Sequence, residues 1–567
     1  MTLQTSSEHF DQDAFEAQCL EGIAHWVLDN LGGKVVDAVR LERWRPQWKV
    51  SYTVDDETRA VLVRGDRPNA GEHDLRFEMD VMATLEANGI KVPHIYGWMD
   101  TPKAFVMEWI DTEDRAPGML HTAIDNPSTM SDERWQAMLG YMEHLAKVHA
   151  VPISEFAHIK QLSNPPESAA DIALRATERM YMAGVYTNNI DTTFEFLQHW
   201  LRRNVPQHRS KASFIAGDAG QFMSAGTEVL ALLDFEIANI GDTHWDLACF
   251  RGRHPYENMG DIPALYQRYA EVTGEAVDLP VVAYHTVAFL QLAGIATKFF
   301  GDPKAIGGNW IEGLLEYASI TRRACEAIAE LQGIELNHNL ELPQPSFKGL
   351  EESALKKLMV DIQRLPTSSA FQDWERDLLH AIPEFLLNNT RYRDWFEQET
   401  INDINRLTGE TFTDLNSADE AIKTLISADD PANDEGLVRI MHHRSLRLSM
   451  IIAGTNPNAE NPLFHILDPS WASRLPGQHP GDFLVTIGDG RRLQDELFFS
   501  QLIISHLLTA DPVWIQAALH ICGQCLLLYV YLTGSVVSDI ALHGRLNFIW
   551  CTGCLITRCK RGPILAH

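Results

Sequence analysis

The sequence has few basic residues, few cysteines and none of the commonest nucleotide-binding or hydrolase motifs. Its 567 residues include 47 Lys and Arg against 77 Asp and Glu, which gives a net charge of −30. Contact with a nucleic-acid backbone needs a dense basic patch, so we expect no nucleic-acid partner. Eight Cys are too few for a disulfide scaffold in a chain of this length. No P-loop and no Gly-x-Ser-x-Gly elbow is present.

Signals for secretion and membrane insertion are weak. The first 33 residues contain no Lys or Arg, unlike a secretory signal or a transit peptide. The run Pro512–Ser538 has 27 residues without a charged side chain, which is long enough to span a membrane. Gln516, His520 and Gln524 interrupt this run, so we interpret it as a buried core helix. We therefore expect a cytoplasmic protein without a membrane partner.

The hydrophobic pattern divides the chain into regions, and the length predicts roughly two to four domains at about 150 residues each. Residues 20–112 are typical of a β-rich lobe, and residues 113–334 of a mainly helical lobe. Residues 335–347 are typical of a linker. Residues 348–518 predict a helical C-terminal domain of unknown role. Residues 519–567 form an apolar tail that holds five of the eight Cys.

Local patterns predict the elements of the first lobe. Trp48–Val54 alternates apolar and polar residues, and with Arg59–Arg64 it predicts a β-hairpin. Leu75–Leu85 has apolar residues on one helical face, and Gly89 is a typical helix stop. Ala104–Ile110 predicts a further apolar strand.

Two carboxylates stand out in the region 214–248. Asp218 lies in a Gly-Asp-Ala-Gly loop, and Asp234 follows the apolar run Val229–Leu233. A carboxylate at the end of a buried strand is costly unless it meets a cation or a hydrogen-bond donor. Two such groups divide the work of phosphoryl transfer, in which one handles the acceptor hydroxyl and the other holds Mg²⁺. The alternative is that both are turn residues that cap helices, and the spacing alone leaves both interpretations open.

The stretch from Leu233 to Ala248 reads Leu-Asp-Phe-Glu-Ile-Ala-x-x-Gly-Asp-x-x-x-Asp-Leu-Ala. It resembles the signature of the aminoglycoside phosphotransferase and choline kinase-like family, and the resemblance extends over about residues 20–330. It implies an α+β, protein-kinase-like two-lobe phosphotransferase domain, followed here by a mainly α-helical region. It implies that Asp218 is the catalytic carboxylate and that Asp234 is the metal ligand. We interpret Asp242 and Asp246 as helix-capping and loop-anchoring residues.

The resemblance also assigns a nucleotide site in the first lobe. Arg64 ends a strand, and Glu78 follows 14 residues later. By the resemblance, Arg64 takes the place of the basic residue that contacts the α/β-phosphates, and Glu78 takes the place of the helix glutamate that holds it. The alternative is a surface ion pair worth at most about 1 kcal/mol. The backbone of Met107, Glu108 and Trp109 takes the place of the hinge that binds adenine. The implied cofactors are ATP and Mg²⁺.

The catalytic loop departs from the family pattern. The family His before Gly-Asp is Ala216, and the family Asn falls at Met223 by count. Related sequences read Gly-Asp-Ala-Gly-Pro-Gly-Asn-Phe-Met, so this loop is two residues shorter. Gln221 is then the nearest amide, and it is a candidate Mg²⁺ ligand through its amide oxygen.

The expected glycine-rich nucleotide loop is also missing. The segment Arg43–Tyr52 has no glycine but contains Arg43, Arg45 and Lys49. These basic side chains are candidates for phosphate contact, and solvated surface charge is the alternative for each of them.

The remaining candidate ligands and catalysts are weaker. Cys522-x-x-Cys525 and Cys551-x-x-Cys554 form a paired motif, but 25 residues separate the pairs and the flanks are apolar. This separation exceeds the usual spacing of a zinc site, about 15–20 residues, so buried thiols are the favoured interpretation over zinc. His149 is interpreted as a helix C-terminal cap rather than a catalyst.

The sequence therefore predicts an ATP-dependent, Mg²⁺-assisted phosphotransferase that acts on a hydroxyl of a small molecule. The resemblance implies acceptors such as aminoglycosides, choline, macrolides and hydroxyacyl compounds. The alternative is a catalytically impaired pseudokinase or nucleotide-binding scaffold that works through its helical C-terminal region. The missing Asn and the missing glycine loop favour that alternative, and the presence of both Asp218 and Asp234 favours the enzyme. Oligomerisation stays open.

Overall fold

The structure is a computed structural model with two compact units, residues 1–488 and 489–567. It describes residues 12–41, 45–66, 75–112, 130–254, 259–297, 310–345, 349–453, 546–551 and 554–559.

The first lobe is a five-stranded antiparallel sheet with one helix on each face. The strand order is β1-β2-β3-β5-β4. The elements are α1 (Gln12–Leu31), β1 (Lys34–Arg40), β2 (Gln47–Val54), β3 (Glu57–Gly65), α2 (Leu75–Ala87), β4 (Ile95–Asp100) and β5 (Lys103–Glu108). The predicted hairpin is confirmed, since Val54 pairs with Glu57. Asp55 and Asp56 both have positive φ, 49° and 65°, as a two-residue type I′ turn requires.

Strand β5 is apolar along its whole length because it contributes to two cores. Ala104 and Val106 pack with α1 on one face of the sheet. Phe105 and Met107 pack in the core that contains α2 and continues into the helical lobe. Successive side chains of a strand point to opposite faces, so a strand that is buried on both faces shows no polar alternation.

The second lobe is mainly helical, with short strands around the loops of interest. Its elements are α3 (Asp132–Ala150), α4 (Ala169–Tyr186), α5 (Thr192–Arg203), β6 (Ser213–Ile215), β7 (Phe222–Ala225), β8 (Glu228–Leu232), β9 (Asn239–Gly241), α6 (Thr243–Arg253), α7 (Ile262–Thr273), α8 (Leu279–Thr297) and α9 (Trp310–Gln332). β6 pairs with β9, and β7 pairs with β8. Ser131 caps α3 by accepting from the backbone N–H of Arg134, 3.0 Å away.

One helix in the described part of the chain is long and apolar enough to cross a membrane. It is the segment Leu279–Ala296 of α8, with a mean hydropathy of 1.5 over 18 residues. Most of this segment, 83%, is buried inside the protein. It therefore has the properties of a central core helix.

Four further helices follow the second lobe, which confirms the predicted α+β class with a helical C-terminal region. They are α10 (Leu350–Gln363), α11 (Ala370–Thr408), α12 (Leu415–Ser427) and α13 (Asp434–Ala453). Ile422 of α12 and Met441 of α13 lie in the same hydrophobic core as the second lobe. Residues 333–345 contain neither helix nor strand. The predicted division at 112, 334, 348 and 518 stays a prediction.

In the second unit the structure describes one antiparallel hairpin, β10 (Leu546–Cys551) and β11 (Cys554–Cys559). Cys551 and Cys554 are register partners next to its turn. Cys522, Cys525 and the predicted core helix Pro512–Ser538 lie outside the described residues. The prediction that the tail binds no metal therefore stays a prediction.

Candidate active site

The loop after β6 turns at a position that only glycine accommodates. Gly217 has φ of 83°, and a Cβ there would collide with the carbonyl oxygen of Ile237. Its own carbonyl oxygen accepts from Trp245 Nε1, 2.8 Å away. This turn places Asp218 at the start of the candidate catalytic loop.

A buried carboxylate of α6 anchors this loop through hydrogen bonds to its backbone. Asp246 is fully buried and accepts from the backbone N–H groups of Ala216 and Gly217, at 2.7 and 2.9 Å. His149 Nε2 lies 2.9 Å from the same carboxylate, and Tyr269 holds the other ring nitrogen at 2.7 Å. The interpretation of His149 as a helix cap is therefore wrong, because its ring joins α3 to α6 instead. Backbone N–H groups anchor the loop even though Ala216 replaces the family His.

The two acidic residues that follow the motif have the predicted structural roles. Asp242 caps α6 by accepting from the backbone N–H of His244, 3.0 Å away. Asp246 anchors the loop as described above. Neither is a candidate ligand for the nucleotide.

Asp234 follows the buried strand β8 and has a left-handed backbone, with φ of 67°. This conformation is uncommon for residues other than glycine and is frequent at functional sites. Its carboxylate accepts from Arg64 Nη2 at 3.3 Å and from Gln221 Nε2 at 2.7 Å. The strand end thus presents the second carboxylate to donors from both lobes.

Gln221 bridges the two carboxylates. Its amide nitrogen donates to Asp218 Oδ2 at 2.8 Å and to Asp234 Oδ2 at 2.7 Å. Turning the amide by 180° replaces that nitrogen by the oxygen, which is a ligand for a hard cation. Met223, the position of the family Asn by count, lies in β7 opposite Ala231. The shortened loop therefore places Gln221, and not residue 223, between the carboxylates.

The structure also forms the predicted Arg64–Glu78 pair. Arg64 Nε donates to Glu78 Oε2 at 2.9 Å, and the two side chains are only 14% and 2% exposed. The alternative of a surface ion pair is therefore wrong. Glu78 lies in the first turn of α2. Arg64 Nη2 lies 3.7 Å from Glu236, the second carboxylate of the Leu-Asp-Phe-Glu motif.

Two arginines complete the site, and the sequence analysis missed one of them. Arg253, in the last turn of α6, donates from Nε to Asp218 Oδ1 at 3.1 Å. The sequence holds no signal for it beyond its position seven residues after Asp246. Arg45 is 2% exposed and ion-pairs with Glu236, so it is not a solvated surface charge. Arg43 lies outside the described residues.

Within the described residues, negative charge exceeds positive charge in this cluster. Four carboxylates, those of Glu78, Asp218, Asp234 and Glu236, contact three guanidinium groups, those of Arg45, Arg64 and Arg253.

The pKa values follow from this charge balance and from burial. Burial raises the pKa of Glu78 to about 7 even though the Arg64 guanidinium lowers it. Burial also raises the pKa of Asp218, although Arg253 acts in the opposite direction. Burial lowers the pKa of Arg64, but the surrounding carboxylates outweigh it and raise that pKa above its ordinary value. A divalent cation would relieve the excess negative charge, and carboxylate and amide oxygens are its preferred ligands.

The predicted hinge residues lie at the end of β5, next to the strand that carries Arg64. Arg64 pairs with Phe105 and Leu62 pairs with Met107. The backbone N–H of Glu108 donates to the carbonyl oxygen of His94 at 2.8 Å. That N–H group is therefore already hydrogen-bonded within the protein.

Trp109 follows directly and presents an aromatic ring at the hinge. The ammonium of Lys49 lies over this ring, 4.5 Å from its centroid. The Lys49 ammonium therefore occupies one face of the Trp109 ring. The nucleotide role of residues 107–109 stays a prediction.

Comparisons with known proteins agree with the motif. Residues 47–280 match the phosphotransferase enzyme family. No curated protein sequence matches the chain. Among solved structures, Macrolide 2'-phosphotransferase type I is 18% identical with a TM-score of 0.37, and the match covers 56% of this chain and 99% of that one.

Two aminoglycoside phosphotransferases are similar to the same extent. APH(2'')-Ib in its ADP-bound form is 12% identical with a TM-score of 0.37, over 54% of this chain and 97% of that one. A thermostable mutant of APH(4)-Ia in its apo form is 13% identical with a TM-score of 0.36, over 53% and 98%. At this level these structural similarities carry no argument about activity. The family match over residues 47–280 confirms the resemblance found in the motif, and this part of the chain is similar to the phosphotransferase enzyme family.

Proposed function

We propose that the protein is a cytoplasmic, ATP-dependent phosphotransferase that transfers a phosphoryl group to a hydroxyl of a small molecule with the assistance of Mg²⁺. One observation carries the proposal. Asp218, after β6, and Asp234, after β8, accept hydrogen bonds from the same amide nitrogen of Gln221. The Arg64–Glu78 pair lies directly beside Asp234.

The residues present fit a hard divalent cation. Asp234 and the amide oxygen of Gln221 would hold Mg²⁺, and the excess negative charge of the cluster favours a cation there. When bound, Mg²⁺ neutralises negative charge on the phosphates.

The other residues have separate roles in this proposal. Asp218 orients the acceptor hydroxyl and accepts its proton, since it leads the loop that Asp246 holds in place. Arg64 contacts the α/β-phosphates, and Glu78 fixes its guanidinium. Arg45 provides a second guanidinium on the side where a glycine-rich loop is missing. Each role depends on a side chain that the fold already orients by a hydrogen bond or an ion pair.

A second candidate function is supported by the contacts of the same groups. Arg253 ion-pairs with Asp218, and Gln221 bridges both carboxylates. In a pseudokinase or nucleotide-binding scaffold these internal contacts would be permanent. The helical C-terminal region would then be the working surface.

A binding and transfer experiment separates the two functions. The full-length protein is assayed for a thermal shift with ATP, with and without Mg²⁺, and for phosphoryl transfer to a panel of aminoglycosides, choline and macrolides. The comparison variants are Asp218→Asn and, as a matched control, Asp261→Asn. Asp261 is an exposed N-cap of α7, where Asn caps equally well.

The kinase proposal predicts Mg²⁺-dependent ATP binding in all three proteins. It predicts transfer by the wild type and the control, and a rate lower by about 10²–10⁴-fold in Asp218→Asn. Equal ATP binding with no transfer by any protein would support the scaffold. Absence of nucleotide binding in the wild type would overturn both.

A further inference from the structure

Three metal-binding side chains meet at a place far from the candidate active site in sequence. Glu326 comes from α9, His338 from the irregular segment 333–345, and His442 from α13. One ligand atom from each lies within 4.8 Å of the other two. Two imidazoles and one carboxylate are a ligand set that proteins use for Zn²⁺.

One separation between these atoms matches the edge of a coordination tetrahedron, and a second is slightly longer. Metal–ligand bonds of about 2.0–2.1 Å give ligand–ligand edges of about 3.3–3.4 Å in tetrahedral geometry. His442 Nε2 lies 3.3 Å from Glu326 Oε1, and His338 Nδ1 lies 3.8 Å from the same oxygen. The contact between His442 and Glu326 is also a long hydrogen bond, since N–H···O distances are usually about 2.7–3.2 Å. A bound ion would draw His338 inward, since its Nδ1 lies 3.8 Å from Glu326 Oε1 and the three ligand atoms lie within 4.8 Å of one another.

Burial also points to an additional ligand. The side chain of His442 is 0% exposed, and that of Glu326 is 4% exposed. His338 Nδ1 is buried and makes no hydrogen bond within the described residues, although the His338 side chain as a whole is 32% exposed. A buried polar atom without a partner is costly. A metal ion would provide the missing partner, and the exposed side of His338 leaves a path for entry.

We propose that Glu326, His338 and His442 bind one Zn²⁺ ion that fastens the segment 333–345 to helices α9 and α13. Water completes the fourth position, because the described residues offer no fourth ligand in this group. The ion would have a structural role, since it joins α9 and the segment that follows it to α13, whose His442 lies 116 positions after Glu326. The site is independent of the proposed phosphotransferase function.

Arg322 limits the affinity of the site. Its Nε lies 3.3 Å from Glu326 Oε1, so a guanidinium faces the same oxygen that the metal would use. This contact orients the carboxylate, but it also competes with any cation. We therefore expect weaker binding than in a cysteine-rich structural zinc site.

The test measures zinc on the full-length protein after treatment with a chelator and re-addition of Zn²⁺. Bound metal is determined by equilibrium dialysis with elemental analysis. The variants are His338→Ala and Glu326→Gln, with His208→Ala as the matched control, because the His208 side chain is 63% exposed and pairs with Asp278 elsewhere. Glu326→Gln keeps the shape of the side chain, so it tests the site even if His338→Ala does not fold.

We expect one equivalent of Zn²⁺ fewer in each site variant than in the wild type and the control, with affinity lower by at least the roughly 10–100-fold that loss of a residue supporting a ligand causes. Zn²⁺ should also slow proteolysis within 333–345 in the wild type and not in Glu326→Gln. Equal zinc content in the wild type and either site variant would overturn the proposal. So would a thiolate-to-cobalt charge-transfer band on substitution with Co²⁺, which would place the metal on cysteines of the chain.

Discussion

The unusual electrostatics of Glu78 predict a measurable pH dependence of stability. Glu78 is buried and paired with Arg64, and burial together with the carboxylates of Asp234 and Glu236 raises its pKa from the ordinary 4.5 to about 7. Between these values the folded protein keeps a proton that the unfolded chain has lost. The free energy of unfolding therefore falls as the pH rises from about 4.5 to about 7.

The variant Glu78→Gln isolates this effect. Glutamine is neutral at every pH, and its oxygen still accepts from Arg64 Nε as Glu78 does. One pH unit of difference corresponds to about 1.4 kcal/mol, so the wild type should lose at most about 3 kcal/mol relative to Glu78→Gln between pH 5 and pH 8. An unfolding entropy of about 2.1 cal/mol/K per residue, over a unit of 488 residues, converts this into about 3 °C in Tm.

The assay is the difference in Tm between wild type and Glu78→Gln across this pH range in buffers of constant ionic strength. Glu57→Gln, which makes the same substitution at an exposed position of the same lobe, serves as the control. The same reasoning predicts that Mg²⁺ binding by the wild type strengthens through pH 7, because an ionised Glu78 favours added positive charge. Parallel Tm curves for the wild type and Glu78→Gln would refute the reasoning.

Four other predictions concern the loop, the metal ligands and the tail. Asp234→Asn should abolish Mg²⁺-dependent nucleotide binding without unfolding the protein, and unchanged MgATP affinity by calorimetry would contradict the ligand assignment. Gln221→Ala should raise the Mg²⁺ concentration needed for half-maximal activity more than the ATP concentration, as titrations of each would show. Asp246→Asn replaces one acceptor oxygen by a donor facing N–H groups, so denaturant unfolding should show a loss of about 2 kcal/mol or more. Truncation after residue 518 should keep nucleotide binding and improve solubility, and loss of binding in a thermal-shift assay would show that the tail contributes.

Most of the first lobe was predictable from the sequence, because its signals are local. The hairpin of β2 and β3 follows from period-two alternation on both sides of Asp55 and Asp56. The helix α2 follows from its apolar face and ends before Gly89, which has φ of 76°. Each of these signals spans fewer residues than one helix or hairpin, so no distant contact is needed to specify it.

The candidate site was predictable where a motif carries it. Asp218 and Asp234 are recognisable from their loops, and Gln221 was a candidate because the loop is short by two residues. The structure brings all three together through hydrogen bonds of 2.7–2.8 Å. In the structure the amide nitrogen of Gln221 points toward both carboxylates. This orientation depends on tertiary contacts, so the sequence did not predict it.

The local order of residues was enough to specify strands, helices and the signature loop, since hydrophobic periodicity and turn residues act within a few positions of the chain. Packing alone determined that Arg253 faces Asp218, that Arg45 is buried against Glu236, and that His149 joins Asp246 instead of capping its helix. Packing alone also determined the contact between Glu326 and His442, because 116 positions of the chain separate them. The physical reason is that a buried charge takes whichever partner the folded core brings within reach, and no spacing in the chain encodes that distance.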